Sequence, residues 1–533
     1  MTSFIGESST MRYSYLRFAG IGAILALAVS GCNNDKLTSI NQDPNNPTSA
    51  PPRAVFTNAA RVAVTRWLGA NFSLRRAEWT AQHLAEVQYP DEDAYRRVGP
   101  ADTDGDFIGV YSSELKNFQA VIDAGKDINE PLLYGPALVM RSLIFAYVTD
   151  VWGDVPYSQA LAGDKADGTI SPAYDAQKDI YTDLFKVLGD AATAMAAAPA
   201  IAQTLAAADP FYGGNRLKWQ KFANSIHARQ AMRLANVDPT TAKAQLTAAI
   251  NAPGGLFQSN ADNARFPWPG DGVYDNPWAA NFRTRDDHRM SNTLMNEMVP
   301  VSDPRVSVYA QPTVANSSVY AGMPNALTQS GASAYFNIAS RPGAAFYGAT
   351  VYSCPGCGAR AGTSFPSFVM TFAEVSFILA EAAERGWIAG SAGDYYQQAI
   401  SASMAQWGVT NASAIAAFLA NPAIAYKGGT PGLRQIALQK WIALYTDGVQ
   451  AWAEWRRTCV PETLKPGPDA IVNTVPRRYR YSIRELSVNS DNVGAAIARQ
   501  GPDDGTAGFL TRMYWDKNPS AAPTYPGASC GTR

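Results

Sequence analysis

The sequence predicts an all-α body built from tetratricopeptide-like helix pairs and decorated with long irregular loops. Three observations predict it. Apolar residues recur at helical spacing through most of the chain beyond residue 54. The helices fall in pairs separated by short links. One stretch, 252–365, breaks the pattern with Gly, Pro, Asn and aromatic residues and keeps no sustained period.

The start of the chain reads as a lipoprotein export signal, with an ordinary signal peptide or a short anchor helix as the alternatives. Arg12 and Arg17 precede an apolar run over residues 18–32 that ends Val29-Ser30-Gly31-Cys32. A positive start, a short apolar core and small residues before a cleavage point are the layout of a secretory signal. The run falls short of the roughly 20 residues that cross a bilayer. Its end has the form of a bacterial lipobox, in which Cys32 carries the lipid and becomes the first mature residue. Residues 1–31 are then a lipoprotein signal, with Met1 or Met11 as the start. Residues 33–53 hold Pro44, Pro47, Pro51 and Pro52 among polar residues, so 32–53 reads as an extended tether. The rest, 54–533, reads as one helical domain with 252–365 as its loop-rich insertion.

In the body, 134–150, 177–196, 216–236 and 240–250 read as helices. The clearest is 366–386, where Phe368, Phe372, Val375 and Leu379 make one apolar stripe. Glu381 and Arg385 form an i,i+4 pair, and Gly386 is a C-terminal stop. Residues 392–407 follow, with Tyr396, Ile400, Met404 and Trp407 on one side and Gly408 at the end. The run 433–446, then Asp447-Gly448, then 449–457 makes another pair.

Charge excludes some partners. Removal of 1–31, with Arg12, Arg17 and Glu7, leaves 42 basic and 44 acidic residues, a net charge of −2. Such a balance gives neither the electrostatic footprint of a nucleic-acid binder nor broad attraction to an anionic membrane. The 47% hydrophobic content and 12 Trp suffice for a large core.

Catalytic motifs are missing from the sequence. His83, His227 and His288 are far apart in the chain, with no His-Glu-x-x-His, Gly-x-Ser-x-Gly or phosphate loop. Composition leaves a carboxylate dyad open. Glu381 and Glu384 lie one turn apart, but beside Arg385 they suit the packing of a helical scaffold better. Arg229 and Arg233 suit structural ion pairs, and Trp152, Trp441, Trp452 and Trp455 suit the core. Asp102-Thr-Asp104-Gly-Asp106 has the alternating acids of a calcium loop. Gly105 stands fourth instead of sixth, however, and Ser113 replaces the twelfth-position Glu, so a turn and helix cap is favoured over calcium. No metal or other cofactor is expected.

The mature chain retains Cys354, Cys357, Cys459 and Cys530. The flanks of Cys354-Pro-Gly-Cys357 read as loop rather than strand and helix, which argues against a redox site. An oxidising location favours disulfides, and four cysteines allow three pairings. The pairing 354–357 with 459–530 is favoured.

Several segments together resemble one family. They are "LTSINQDPNNPT" (37–48), "RSLIFAYVTDVWGDVPY" (141–157), "DPFYGGN" (209–215), "KWQKFANSIHARQAMR" (218–233), "FAEVSFILAEAAERGW" (372–387), "LQKWIALYTDGVQAWAEWRR" (438–457) and "PRRYRYSIRELSVNSDNV" (476–493). In order and coverage they resemble the SusD/RagB outer-membrane lipoproteins, in the SusD-like 2 branch. The resemblance implies a non-catalytic, lipid-anchored protein facing the cell exterior. It would act as a lid on a TonB-dependent SusC-like transporter and capture oligosaccharides or, alternatively, peptides. A surface glycan hydrolase is the rival of another class, and a structural lipoprotein without ligand is a third.

The resemblance transfers no ligand residue. The loop Phe266 to Trp278 concentrates rings that could cover a sugar face and polar groups that could bond its hydroxyls. Trp268, Tyr274, Asp275, Asn276 and Trp278 are the candidates. The competing expectation is that Trp268 and Trp278 pin the loop to the body, because Trp is highly buried on average.

Overall fold

Helix pairs dominate the computed structural model, which describes residues 50–200, 205–346, 362–516 and 530. Cys32, Cys354, Cys357 and all but the last residues of the tether lie outside the described residues. Residues Pro52–Arg533 form one unit.

The first helix, α1 (Pro52–Trp67), leads through a π-helical segment to the short strand β1 (Leu84–Glu86). Helices α2 (Pro100–Gly109), α3 (Lys116–Asp127) and α4 (Pro131–Trp152) follow. Among the described residues, α4 is the one helix long and apolar enough to cross a membrane, and it is buried in the core instead. Strands β2 (Val155–Pro156) and β3 (Tyr174–Asp175) form a minimal hairpin, and then come α5 (Gln177–Ala196), α6 (Arg216–Arg233) and α7 (Pro239–Asn251). Helix α4 packs on α3 and α5, and α6 on α5 and α7. The starts of α6 and α7 are capped. Asn215 accepts the N–H of Lys218 at 3.1 Å, and Asp238 that of Thr241 at 3.0 Å, which satisfies amide groups the helix itself cannot pair.

The loop-rich stretch holds β4 (Ala264–Phe266), α8 (Pro277–Phe282), β5 (His288–Met290) and α9 (Asn292–Met298). Beyond it come β6 (Ser367–Met370), α10 (Phe372–Glu384), α11 (Ala392–Gln406), α12 (Ala412–Ala420), α13 (Gly429–Ala443), α14 (Gly448–Thr458), α15 (Ile483–Val488) and α16 (Ser490–Gln500). The strands pair antiparallel, β1 with β5 and β4 with β6.

The expected helix 366–386 is corrected at its start. Phe368 belongs to β6, opposite Arg265, because the Thr371 hydroxyl accepts the Glu374 N–H at 3.2 Å and starts the helix at Phe372. A Thr-x-x-Glu cap had the stronger local claim than the apolar stripe. The expected turn at Asp102-Thr-Asp104-Gly-Asp106 is also corrected. All three aspartates lie within α2, and they serve different partners: Asp106 pairs with Arg66 and Arg76, Asp104 with Arg484, and Asp102 with Arg97.

Buried ion pairs lock the helix stack. Arg229 Nε on α6 donates to Glu374 on α10 at 2.7 Å, and Arg457 on α14 donates to Glu381 on α10 at 2.6 Å. Burial pushes the Glu381 carboxyl up, but Arg457 and Arg385 outweigh it and hold it well below the usual range. Glu384 accepts the Gly429 N–H at 2.6 Å. These two glutamates are therefore engaged in packing. Trp152, Trp441, Trp452 and Trp455 are fully buried. Cys459 and Cys530 are joined by a disulfide with Cα atoms 5.6 Å apart.

Candidate functional site

A groove of about 740 Å³ lies between the first turns of α1, the segment 207–210 and the loop that follows β4. Helix α1 contributes Arg53, Thr57, Asn58 and Arg61. The loop is shaped by its own sequence. Pro267 and Pro269 flank Trp268, so neither neighbour offers an N–H for pairing, and the chain leaves β4 extended. Gly270 then turns at φ +70°, where an added Cβ would also stand 3.0 Å from Ser364. The Gly270 N–H donates to the Tyr274 carbonyl at 3.1 Å, and Asp271 accepts the N–H groups of Val273 and Tyr274 at 2.9 and 2.8 Å.

This turn presents Tyr274 to solvent with 46% of its surface exposed. The Arg61 guanidinium sits 5.6 Å from the ring centroid and is steadied by Asn58 at 2.9 Å. Below them Trp268 packs on Phe266 with centroids 4.8 Å apart, and its indole N–H donates to Ser367 at 3.0 Å. Trp268 shows 5% of its surface, the edge that lines the groove.

The five loop candidates thus divide. Trp268 and Tyr274 reach the groove. Trp278 is corrected to the scaffold: it is buried on α8, its indole donates to the Leu68 carbonyl at 2.9 Å, and Phe346 lies 4.9 Å away. Asn276 is likewise buried and caps α8 by accepting the Trp278 N–H at 2.9 Å, while its own amide donates to the Phe365 carbonyl at 2.8 Å. Asp275 is buried against Arg283 at 2.8 Å and accepts the Gly272 N–H. An Asn-Pro start opens a helix and turns these three inward. Arg53, Thr57 and Arg61 were missed in the sequence, because α1 is distant from the loop and carries no ligand-like motif. The histidines serve separate partners: His83 with Glu78 at 2.9 Å, His227 with Gln245 at 2.8 Å, and His288 with Asp287 at 2.8 Å.

Residues 44–482 match the family model SusD-like 2, described as "Starch-binding associating with outer membrane". The chain belongs to the SusD-like 2 family. Solved structures with this SusD-like fold include a chitin-binding protein at 26% identity and TM-score 0.75, matched over 88% of this chain and 100% of the other. A SusD homologue from Bacteroides uniformis is 26% identical with TM-score 0.72, over 87% of this chain and 99% of that one. A chitin-binding SusD homologue from Flavobacterium johnsoniae, at 23% identity and TM-score 0.73 over 88% and 99%, shows the shared fold. No curated protein sequence matches. The all-α architecture expected from periodicity is thus that of the SusD-like fold.

Proposed function

We propose that this SusD-like protein binds a nutrient oligosaccharide in the α1–β4 groove and delivers it to a SusC-like TonB-dependent transporter, held to the outer membrane by lipid on Cys32. The observation that carries the reading is the half-exposed Tyr274 ring backed by Arg61 above the Trp268 floor. Aromatic faces bury the C–H face of a sugar, and guanidinium and amide groups bond its hydroxyl rim. A volume of about 740 Å³ falls within the roughly 300–1,000 Å³ of small-ligand sites. The groove lining includes two arginines and no carboxylate, so the acid pair of a glycosidase has no members there. That supports capture rather than cleavage. The chitin-binding and starch-binding descriptions of its relatives make chito- and malto-oligosaccharides the first ligands to test.

Calorimetric titration of the purified chain with these oligomers tests the reading. Saturable binding that Tyr274→Ala weakens is the expected result. Wild-type affinity in that variant would move the site elsewhere, and turnover of the bound oligomer would replace capture with hydrolysis.

A further inference from the structure

A second cluster lies on the β1–β5 ladder. Glu86 and His288 are directly opposed in the antiparallel register, which places their side chains on one face. Asp287 precedes His288, and its carbonyl accepts the Val87 N–H at 2.8 Å. One ligand atom from each of Glu86, Asp287 and His288 lies within 4.8 Å of the others, and all three residues are buried.

Their bonding capacity is only partly used. Glu86 Oε1 accepts the N–H groups of Gln88 and Tyr89 at 2.9 and 3.1 Å. Its Oε2 has no hydrogen-bond partner among the described residues, although Glu86 has no exposed surface. His288 Nδ1 lies 2.8 Å from Asp287, and its Nε2 also lacks a partner among the described residues. The ring is fixed between Trp79 and Phe282, with centroids 5.4 and 5.3 Å away, so it cannot swing out to find one. A native fold satisfies such buried atoms, and an unsatisfied set calls for an explanation.

Further charged groups surround the cluster. Asp93 accepts the Glu86 N–H at 3.0 Å. Arg285 pairs with Asp287 and reaches Glu92 at 3.9 Å, and Arg75 pairs with Glu92. Four carboxyl groups (Glu86, Glu92, Asp93, Asp287) therefore lie around two guanidiniums (Arg75, Arg285), and burial pushes the Glu86 and Asp93 carboxyls up.

We propose that Glu86, Asp287 and His288 bind one divalent transition-metal ion of the Zn²⁺ or Mn²⁺ type. A divalent ion takes up the unpartnered Glu86 oxygen. Two carboxylates with an imidazole form a mixed oxygen–nitrogen donor set, which suits these ions better than Ca²⁺, a cation of all-oxygen sites. Glu86 caps the amides that lead into Tyr89, so the ion fastens the turn bearing that half-exposed ring.

The test uses the full mature chain, stripped with chelator and titrated calorimetrically with ZnCl₂, MnCl₂ and CaCl₂. One Zn²⁺ or Mn²⁺ per chain is expected, bound at least tenfold more tightly than Ca²⁺. Glu86→Gln keeps an oxygen for the Gln88 and Tyr89 amides and should fold. It should lower metal affinity at least tenfold, whereas the surface change Asp190→Asn should leave it unaltered. Absence of saturable binding to the wild type, a preference for Ca²⁺, or undiminished binding by Glu86→Gln would overturn the assignment. If Glu86→Gln fails to fold, the wild-type melting temperature decides: a rise with Zn²⁺ or Mn²⁺ and none with Ca²⁺ supports the site, and indifference to all three overturns it.

Discussion

Tyr274→Ala and Trp278→Ala should separate ligand binding from stability, although only three residues lie between them. Tyr274 has 46% of its surface exposed and packs beneath Arg61 at 5.6 Å. Deleting its ring removes little buried area and one solvent-screened cation–π contact worth about 0.5–1 kcal/mol, so thermal unfolding should stay near wild type. Loss of a ring that lies against a sugar should cost roughly 1–3 kcal/mol of affinity, about 5- to 150-fold in Kd. Trp278 has 2% exposure, contacts Phe346 and Tyr445, and satisfies the Leu68 carbonyl. Its truncation leaves a cavity and an unpaired carbonyl. The expected cost is about 3–5 kcal/mol of stability, with little change in the Kd of the folded fraction. Scanning calorimetry and ligand titration on the same preparations read both quantities. Unchanged affinity in Tyr274→Ala would refute the groove as the site. An unchanged melting temperature in Trp278→Ala would refute the assignment of that ring to the scaffold.

Glu374→Gln should destabilise the fold by about 3–5 kcal/mol in denaturant titration, because it leaves the Arg229 charge buried without its partner; a cost below about 1 kcal/mol would mean that water reaches the pair. Burial pushes the Asp447 carboxyl up to about 7, despite Arg229 and the Tyr147 hydroxyl. The native state therefore holds this proton more tightly than the unfolded chain, whose carboxyl titrates near pH 4. The associated stability is complete below about pH 4 and is lost as pH rises through 7. Asp447→Asn should consequently gain on the wild type between pH 4 and pH 8 in melting temperature, and parallel pH curves would contradict the burial argument. Cys32→Ser should abolish fatty-acid labelling and release the protein from membranes, whereas label retained by the variant would exclude lipidation at Cys32. Mild-detergent purification of a tagged wild type should co-purify a SusC-like barrel, and recovery of this chain alone, while other outer-membrane complexes survive, would count against the lid.

The helical body was readable from sequence where local signals agree. Helix α5 spans Gln177–Ala196, as its period predicts, and the stops at Gly386 and Gly408 adopt φ +66° and +78°. The strands were invisible for a physical reason. Each has two to four residues, and its identity comes from a partner elsewhere in the chain, as when Phe266 pairs with Ser367. Helix α13 starts at Gly429 in Gly-Thr-Pro-Gly, a sequence with poor helix propensity, so its first turn is imposed by context and was missed by a period that became visible only at Leu433. Alternating aspartates resembled a cation loop because charge spacing in a sequence does not reveal which arginines will face it. Arg66 and Arg76 lie on earlier elements and claim Asp106 in space.

Among the described residues, segments that carry the family resemblance pack into the body. Asp209 of "DPFYGGN" binds the N–H groups of Phe211 and Gly214 at 2.9 and 2.8 Å and the Trp219 indole at 2.7 Å, closing a turn onto α6. The tryptophans of "LQKWIALYTDGVQAWAEWRR" are fully buried, and its Arg457 ties α14 to α10. Each such residue is constrained by several neighbours at once, so a change in one requires changes in the others. Arg61, Trp268 and Tyr274 lie in none of these segments. Tyr274 stands on a loop whose shape is set by Pro269, Gly270 and Asp271, and the ring itself can vary without disturbing that turn. A relative at 26% identity can therefore share the body over its whole length and still present a different groove. Family membership and ligand identity are separate questions in this fold: the first is answered by packing residues, and the second must be answered by titration at the loop.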